Sequence, residues 1–360
     1  MRVVQLIDTL DLGGAEKMAL NYANLLAEKI AFSGLVATRK EGELNKNIGE
    51  KVNYLFLSKK RKFDLKALSA LKAFVAKNKI DLVHAHGTSF FLATLLKFIY
   101  PKIKIVYHEH FGGRATQSWR KNPALIFCSL FFSEIVVVNF QLKNWCSKKL
   151  FCKKITFLPN FLIFQNTELS ETNLSGTQGK RIVFLANLKH PKNQLFFLEA
   201  FYDSQQFLDG WTVHLIGKIF ENQYSQTLTN FIKDKNLSNV VFLYDVCNDV
   251  TNILKQATIG VLASTDEGFP VTILEYAHAN LPVIVPNVGY CSQMVDDQCS
   301  GFVFDISDKI TLVQKISLLC KNQQLRLKFG HNLHEFCDTN YQKNKVIDDL
   351  LVIYSRQKNE

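Results

Sequence analysis

The sequence predicts an α/β chain built from two parallel-sheet domains, and three observations carry that expectation. Residues 258–263 are apolar and partly β-branched without alternation, as in a strand covered on both faces of a parallel sheet. Strand-like runs of this kind alternate with helical spacing, as at Met18, Leu20, Tyr22, Leu25 and Leu26. The chain is 360 residues long and 47% hydrophobic, enough for two cores, and an almost wholly polar stretch at 165–180 separates its halves.

In chain order, a strand at 3–7 leads into Asp8-Thr9-Leu10-Asp11-Leu12-Gly13-Gly14-Ala15-Glu16 and then a helix. Two glycines at such a junction let the backbone approach a bound group and leave the first helical amides aimed at it. An amphipathic helix with Leu65, Leu68, Leu71, Phe74 and Val75 on one face ends at Asn78. A strand at 80–83 precedes His84-Ala85-His86-Gly87, and one at 103–107 precedes His108-Glu109-His110. A strand at 135–138, a basic helix near 141–149 and a strand at 155–158 complete a first domain that closes at residue 164. Residues 165–180 read as a surface linker. The second domain, 181–340, opens with a strand at 181–185, after which Lys192 stands at a helix start, placed to meet a diphosphate as a compact charge. Strands at 211–216, 240–243 and 258–263 follow, the last ending near Ser264. Pro270 suits a first helical position, so a helix is expected over 271–279. A strand at 283–285, Gly289 and the run Gly301-Phe302-Val303-Phe304 come next, and from Lys309 the chain reads as two helices.

Glu267 falls in the turn before the 271–279 helix and Glu275 on its second turn. Two carboxylates and a row of unpaired N–H groups then lie at the carboxyl end of a parallel strand, where open α/β sheets bind ligands. A carboxylate accepts two hydrogen bonds at once, which suits Glu275 to the vicinal hydroxyls of a ribose and Glu267 to a second polyhydroxylated group. The plain alternative is a capped helix with solvated acids. The two H-x-H pairs also permit a metal-dependent hydrolase, because alternate residues of a strand share a face. No later acidic ligand stands out for it, and histidines satisfied within packed strand ends compete with that reading.

Glu267-Gly268-Phe269-Pro270 followed by Glu275 resembles the E-x7-E signature of the family 4 (group 1) retaining glycosyltransferases, which have the GT-B fold. Gly13-Gly14-Ala15-Glu16 is similar to the family's G-G-A-E loop, and residues 84–87 and 108–110 to its D-x-x-H-x-H-G and E-H-G segments, with His110 at the active-site histidine. Lys192 matches the lysine of the G-R-L-x-x-x-K loop, although Asn187 stands where arginine is commoner. Pro159-Asn160 resembles P-N-G with Phe161 for the glycine, Gly217 resembles V-G-x-G without its second glycine, and residues 301–304 resemble G-F-L-F. The resemblance implies two Rossmann-like domains facing each other across a cleft, with the C-terminal helix, about 341–360, crossing back to the first. It implies sugar transfer from a nucleotide-diphosphate donor (UDP- or GDP-sugar) with retention and without a cofactor or metal ion. On it, His110, Lys192 and Glu267 are catalytic. Gly13, Gly14, Asn187, Lys192, the turn Gly268, Phe269, Pro270 and Val271, and Glu275 hold the donor, and the loop 244–248 seats the base, with Tyr244-Asp245 in place of a common glycine.

Charge is uneven. Residues 1–180 carry 27 Lys and Arg against 13 Asp and Glu, net +14, whereas the whole chain is +11. A one-signed surface attracts anionic lipid or nucleic acid. With no zinc-finger spacing or RNA-binding aromatic signature, the membrane is the expected partner and nucleic acid is not. No apolar run reaches the about 18–20 residues that span a bilayer, so contact should be peripheral. The amino terminus reads as a first strand, not a signal peptide, and eight cysteines without a C-x-x-C pair read as reduced thiols in a cytoplasmic protein at the inner face of the plasma membrane. The expected acceptor is a lipid-diphosphate-linked oligosaccharide of capsule, O-antigen or exopolysaccharide synthesis. Two other classes remain open: a GT-B scaffold subunit that has lost turnover, which would explain Asn187, and the metal-dependent hydrolase.

Overall fold

The computed structural model describes residues 1–163 and 171–357, so the start of the expected linker (165–170) and the end of the expected last helix (358–360) lie outside the described residues. The chain divides into two units, Met1–Ile163 with Lys343–Glu360, and Phe164–Gln342. The first unit holds strands β1 (Arg2–Thr9), β2 (Phe32–Lys40), β3 (Asn53–Phe56), β4 (Leu82–His86), β5 (Lys104–Glu109), β6 (Glu134–Val137) and β7 (Ile155–Phe157). They pair in parallel in the order β3-β2-β1-β4-β5-β6-β7. The second unit holds β8 (Arg181–Leu185), β9 (Thr212–Ile216), β10 (Val241–Tyr244), β11 (Ile259–Val261), β12 (Val283–Pro286) and β13 (Phe302–Phe304). These are also parallel, in the order β10-β9-β8-β11-β12-β13. In both sheets the order reverses once, between β1 and β4 and between β8 and β11, which makes each a Rossmann-like doubly wound sheet.

Several elements depart from the sequence expectation. Strand β2 falls where none was expected, because Ser33, Gly34 and Thr38 interrupt its apolar pattern; all three are buried, and Ser33 Oγ donates to Ala23 O at 2.7 Å. The histidines expected after a strand at 80–83 lie inside β4, and His108 and Glu109 lie inside β5. Residues 171–180 are no free surface tether. The buried Asp249 carboxylate accepts from the N–H groups of Glu171 (3.0 Å) and Thr172 (2.7 Å), and Gln256 Nε2 donates to Thr172 O, which straps the segment to the second unit. Beyond Lys309 there are three helices, not two: Lys309–Lys321, Gln323–Asn340 and Lys343–Arg356. Asn322 starts the middle one by accepting from Leu325 N–H, an N-cap that ends one helix and opens the next. The last helix buries Val346, Ile347, Leu350, Ile353 and Tyr354 among Val3, Met18, Tyr22, Leu26 and Phe161 of the first unit.

Two buried clusters set the geometry of the strand ends. In the first unit, His84, His86 and His108 are fully buried, and the Tyr22 ring lies about equally close to all three, with centroids 5.8, 6.1 and 6.0 Å away. Burial holds the three imidazoles neutral, with pKa well below the usual 6.5. In the second unit, the buried Tyr276 hydroxyl accepts from Leu185 N–H (2.8 Å) at the end of β8 and donates to Val261 O (3.2 Å) at the end of β11. Gly260 makes room for the ring, since a Cβ there would lie 2.6 Å from it.

Replacing Tyr276 by Phe strands the Leu185 N–H and should cost about 1–3 kcal/mol, read as a lower urea midpoint at unchanged m-value. Acid should destabilise the first unit ahead of ordinary carboxylate titration. The three histidines have folded pKa values below their unfolded value, so their contribution is complete above pH 6.5 and lost as pH falls, with a slope approaching about 4 kcal/mol per pH unit below about 5.5. Equal denaturant midpoints at pH 7.5 and pH 5 would show that these imidazoles are not neutral in the folded state.

Candidate active site

The strand-order reversal of the second unit brings two loops side by side. One follows β8 and contains the short turn His190–Lys192; the other follows β11 and carries Glu267. Thr265 N–H donates to Pro191 O (2.9 Å), joining the loops, and Lys192 Nζ donates to Glu267 Oε1 at 2.6 Å. The Glu267 side chain is 9% exposed and that of Lys192 24% exposed, so the carboxylate is enclosed while the ammonium keeps an open side. Burial and the neighbouring Glu267 charge raise the carboxyl pKa of Asp266, with Lys192 opposing. Gly289 backs this turn at φ +59°, where a Cβ would stand 1.9 Å from Glu267 O; only glycine meets both conditions.

The turn Gly268, Phe269, Pro270, Val271 is held by its aromatic ring. Phe269 is buried, stacked on Tyr290 (5.2 Å) and edge-on to Tyr341 (5.3 Å), so this residue can offer a donor its backbone and not its side chain. Pro270 is the N-cap (φ −77°, ψ 88°) and not the first helical residue; the helix is Val271–His278. Its opening amides at Val271 and Thr272 have no acceptor within the helix and sit at the positive end of its dipole. Glu275 is half-buried on the second turn of the same helix. Asn187, expected to face the leaving phosphates, is partly committed elsewhere: its Oδ1 accepts from Lys218 N–H (3.0 Å), leaving only the Nδ2 group available. The buried Gln194, which the sequence reading did not single out, donates to Asn187 O (3.0 Å) and accepts from Tyr224 OH (2.9 Å), and so fixes the loop after β8. Its signal was a lone amide opening an apolar helix.

In the first unit, Gly13 is the N-cap of the helix Gly14–Leu26 that follows β1, and Gly14 faces open space. His110 follows β5. Its Nε2 lies 2.9 Å from His86 Nδ1, its ring stacks on His108 at 3.9 Å, and burial lowers its pKa to about 3. Glu109, buried beside it, accepts from Phe111 N–H (3.0 Å) and Tyr107 OH (2.7 Å) and lies against the Arg114 guanidinium, which together fix the turn that carries His110. Arg114 was not legible as a site residue, because nothing near it in sequence marks its partner.

His84, His86 and His108 bring possible ligand nitrogens within 4.8 Å of one another. Both nitrogens of His86 are already engaged, by Gln5 Oε1 (2.9 Å) and His110, and His84 Nδ1 is engaged by Tyr354 OH (2.7 Å). The trio therefore offers lone pairs from two rings only and includes no carboxylate, a poor donor set for a hydrolytic metal.

Comparison with known proteins identifies the family and the fold. Residues 12–162 match the family described as Glycosyltransferase Family 4, and residues 165–336 the family described as Glycosyl transferases group 1. The chain is 26% identical over 297 residues (75% of this chain, 76% of the relative) to an Escherichia coli UDP-Gal:alpha-D-GlcNAc-diphosphoundecaprenol alpha-1,3-galactosyltransferase. It is 24% identical over 330 residues (88% of each) to the capsular polysaccharide biosynthesis glycosyltransferase CapH of Staphylococcus aureus. Among solved structures, Anabaena Alr3699/HepE, in complex with UDP and glucose, superposes with a TM-score of 0.82 at 15% identity, over 99% of this chain and all of that one. With matches covering both units and a shared GT-B fold, the chain belongs to the family 4 (group 1) glycosyltransferases.

Proposed function

We propose that the protein transfers a sugar, with retained anomeric configuration and without a divalent metal, from a nucleoside-diphosphate donor to a lipid-diphosphate-linked glycan at the inner face of the plasma membrane. The observation that carries this is the Lys192–Glu267 pair beside the helix-opening amides at the strand-order reversal. As the bond between the anomeric carbon and the β-phosphate oxygen breaks, negative charge grows on the diphosphate. A fixed ammonium and amides aimed at that charge lower the barrier, by about 3–4 kcal/mol for one well-placed donor. Glu267 holds the Lys192 side chain in place, and its second carboxylate oxygen is left for a sugar hydroxyl. Glu275 accepts from the ribose hydroxyls. Asn187 Nδ2 assists at the phosphates without adding charge. The UDP named with the Escherichia coli relative and the Anabaena structure supports uracil over guanine.

The lipid-linked acceptor and the membrane setting have separate support. The first unit carries the basic excess and also exposes Phe63, Phe98, Phe127, Leu130 and Phe151. Phe98 and Phe127 each pack on Phe131 (4.8 and 5.7 Å), and Lys62 sits over Phe91 (5.1 Å), so aromatic rings and ammonium groups share this surface. Rings enter the headgroup layer while lysines meet anionic lipid, each worth about 1 kcal/mol. No helix among the described residues is long and apolar enough to cross a membrane. The Escherichia coli relative is named for a diphosphoundecaprenol-linked acceptor and the Staphylococcus aureus relative for capsular polysaccharide biosynthesis. A nucleotide-binding subunit without turnover is the second reading, favoured by the uncharged Asn187 alone; a donor-hydrolysis assay separates the two, since such a subunit would bind nucleotide without cleaving the donor.

Lys192→Ala should lower kcat by a hundredfold or more with the nucleotide still bound. Glu275→Ala should instead raise the Kd for the nucleoside diphosphate, seen as a lost thermal shift. Near-normal behaviour of both variants would refute the assignment. In flotation, binding should rise when anionic lipid is added to phosphatidylcholine vesicles and fall in a Phe98→Ser, Phe127→Ser, Phe151→Ser variant. Equal binding to neutral and anionic vesicles would remove the charge argument.

A further inference from the structure

The strand order of the first sheet reverses between β1 and β4, and the carboxyl ends of β1, β2 and β4 hold a charged cluster that the donor site does not use. Asp8, near the end of β1, is its centre. Its Oδ1 accepts from Thr38 Oγ1 in β2 (2.5 Å), its Oδ2 accepts from Thr88 Oγ1 just after β4, and Arg39 Nε lies 3.5 Å from the same oxygen. Lys59 joins them from the segment after β3, where its N–H donates to Thr38 O (2.7 Å). We propose that Arg39 and Lys59 form a phosphate-binding site within the first unit that takes the diphosphate of the acceptor. This rests on the reading above that the acceptor carries one.

Lys59 is the unusual member. Only 7% of the residue is exposed, yet its ammonium makes no hydrogen bond or ion pair among the described residues and is not one of the fully enclosed nitrogens. Burial and the neighbouring Arg39 charge push its pKa down, with Asp8 and Asp64 opposing. Both acids are committed elsewhere. Asp8 holds two hydroxyls and the guanidinium, while Asp64 caps the helix Leu65–Lys77 by accepting from Ala67 N–H (3.1 Å) and also accepts from Lys60 N–H (3.1 Å). Two neighbouring cations in a partly enclosed place disfavour each other, and an oxyanion between them relieves both. The backbone is bent to hold Lys59 there: Ser58 stands at φ +49°, a left-handed conformation uncommon for serine.

The two cations differ in what they offer. The Arg39 side chain is 43% exposed, and its terminal nitrogens make no hydrogen bond among the described residues, so its fork is open to two phosphate oxygens at once. Lys59 adds a compact charge that one oxygen can meet. Because both Asp8 oxygens are turned to the hydroxyls and to Arg39 Nε, the hydrogens left over on the two cations are the ones a ligand can use. An uncharged sugar needs no such pair, whereas a multiply charged diphosphate does. The place agrees with this, since open α/β sheets bind ligands outside the carboxyl ends of their strands where the order reverses.

The test is calorimetric titration of inorganic pyrophosphate into full-length protein saturated with UDP, which occupies the candidate donor site. The wild type should still bind pyrophosphate, and Arg39→Gln and Lys59→Met should each weaken it about tenfold or more at unchanged Kd for UDP. Arg39→Gln alters an exposed side chain, so it tests the site even where Lys59→Met fails to fold. Farnesyl diphosphate, which carries the same group on a lipid, should displace pyrophosphate from the wild type. Flotation with phosphatidylglycerol vesicles separates a bilayer headgroup from an acceptor diphosphate, and the double variant should float as the wild type does. Absence of pyrophosphate binding to UDP-saturated wild type overturns the site, as does wild-type affinity in Arg39→Gln. Failure of farnesyl diphosphate to compete overturns the assignment to the acceptor. Loss of vesicle binding with pyrophosphate affinity intact gives the two cations to lipid headgroups instead, and a matching loss of UDP affinity gives them to the nucleotide; either result overturns the proposal. Failure of the transferase reading is recognised separately, by wild-type protein that does not consume donor while the pyrophosphate titrations still decide the site.

Discussion

A lysine ammonium 2.6 Å from an enclosed carboxylate is the contact around which the second unit is arranged. Such a pair adds little net stability, because desolvating two charges offsets their attraction, yet either charge left alone would be costly. Its consequence is positional. The loops after β8 and β11 must stay in register for the charges to meet, and Thr265–Pro191, the Gly289 contact and the Phe269 ring all enforce that register. In the proposed reaction the lysine is fixed before a diphosphate arrives, so little reorganisation is spent at the moment charge develops.

The first unit meets a different constraint. Four histidines cluster at the ends of two adjacent strands, and three of the rings are fully buried. Their neutrality makes this packing tolerable, and hydrogen bonds link the last helix through Gln5 and His86 to His110. Glu109 beside them is a buried acid that Arg114, Tyr107 and a backbone amide compensate. Burial therefore raises the acid's proton affinity and lowers that of the imidazoles at once.

The chain's two halves divide labour by charge. The basic excess and most of the exposed aromatic rings among the described residues lie in the first unit, whereas the second carries the Lys192–Glu267 pair.

Most of the architecture was legible from local pattern: the restart of parallel strands at residue 181, the helix after Pro270, and the Lys192, Glu267 and Glu275 trio. Those features depend on period, backbone restriction and residue chemistry within short windows, and such windows are read without knowing the fold. Strand β2 escaped because Ser33 and Thr38 look like turn residues until their burial is seen, and the break at Asn322 hid inside one long periodic stretch. Tertiary structure alone decided the partners. Lys192 meets Glu267 across 75 positions and Gln5 meets Tyr354 across 349, and no local propensity encodes either distance. Sheet register and helix docking set them, which is why the sequence named candidate residues while the fold determined how each is held.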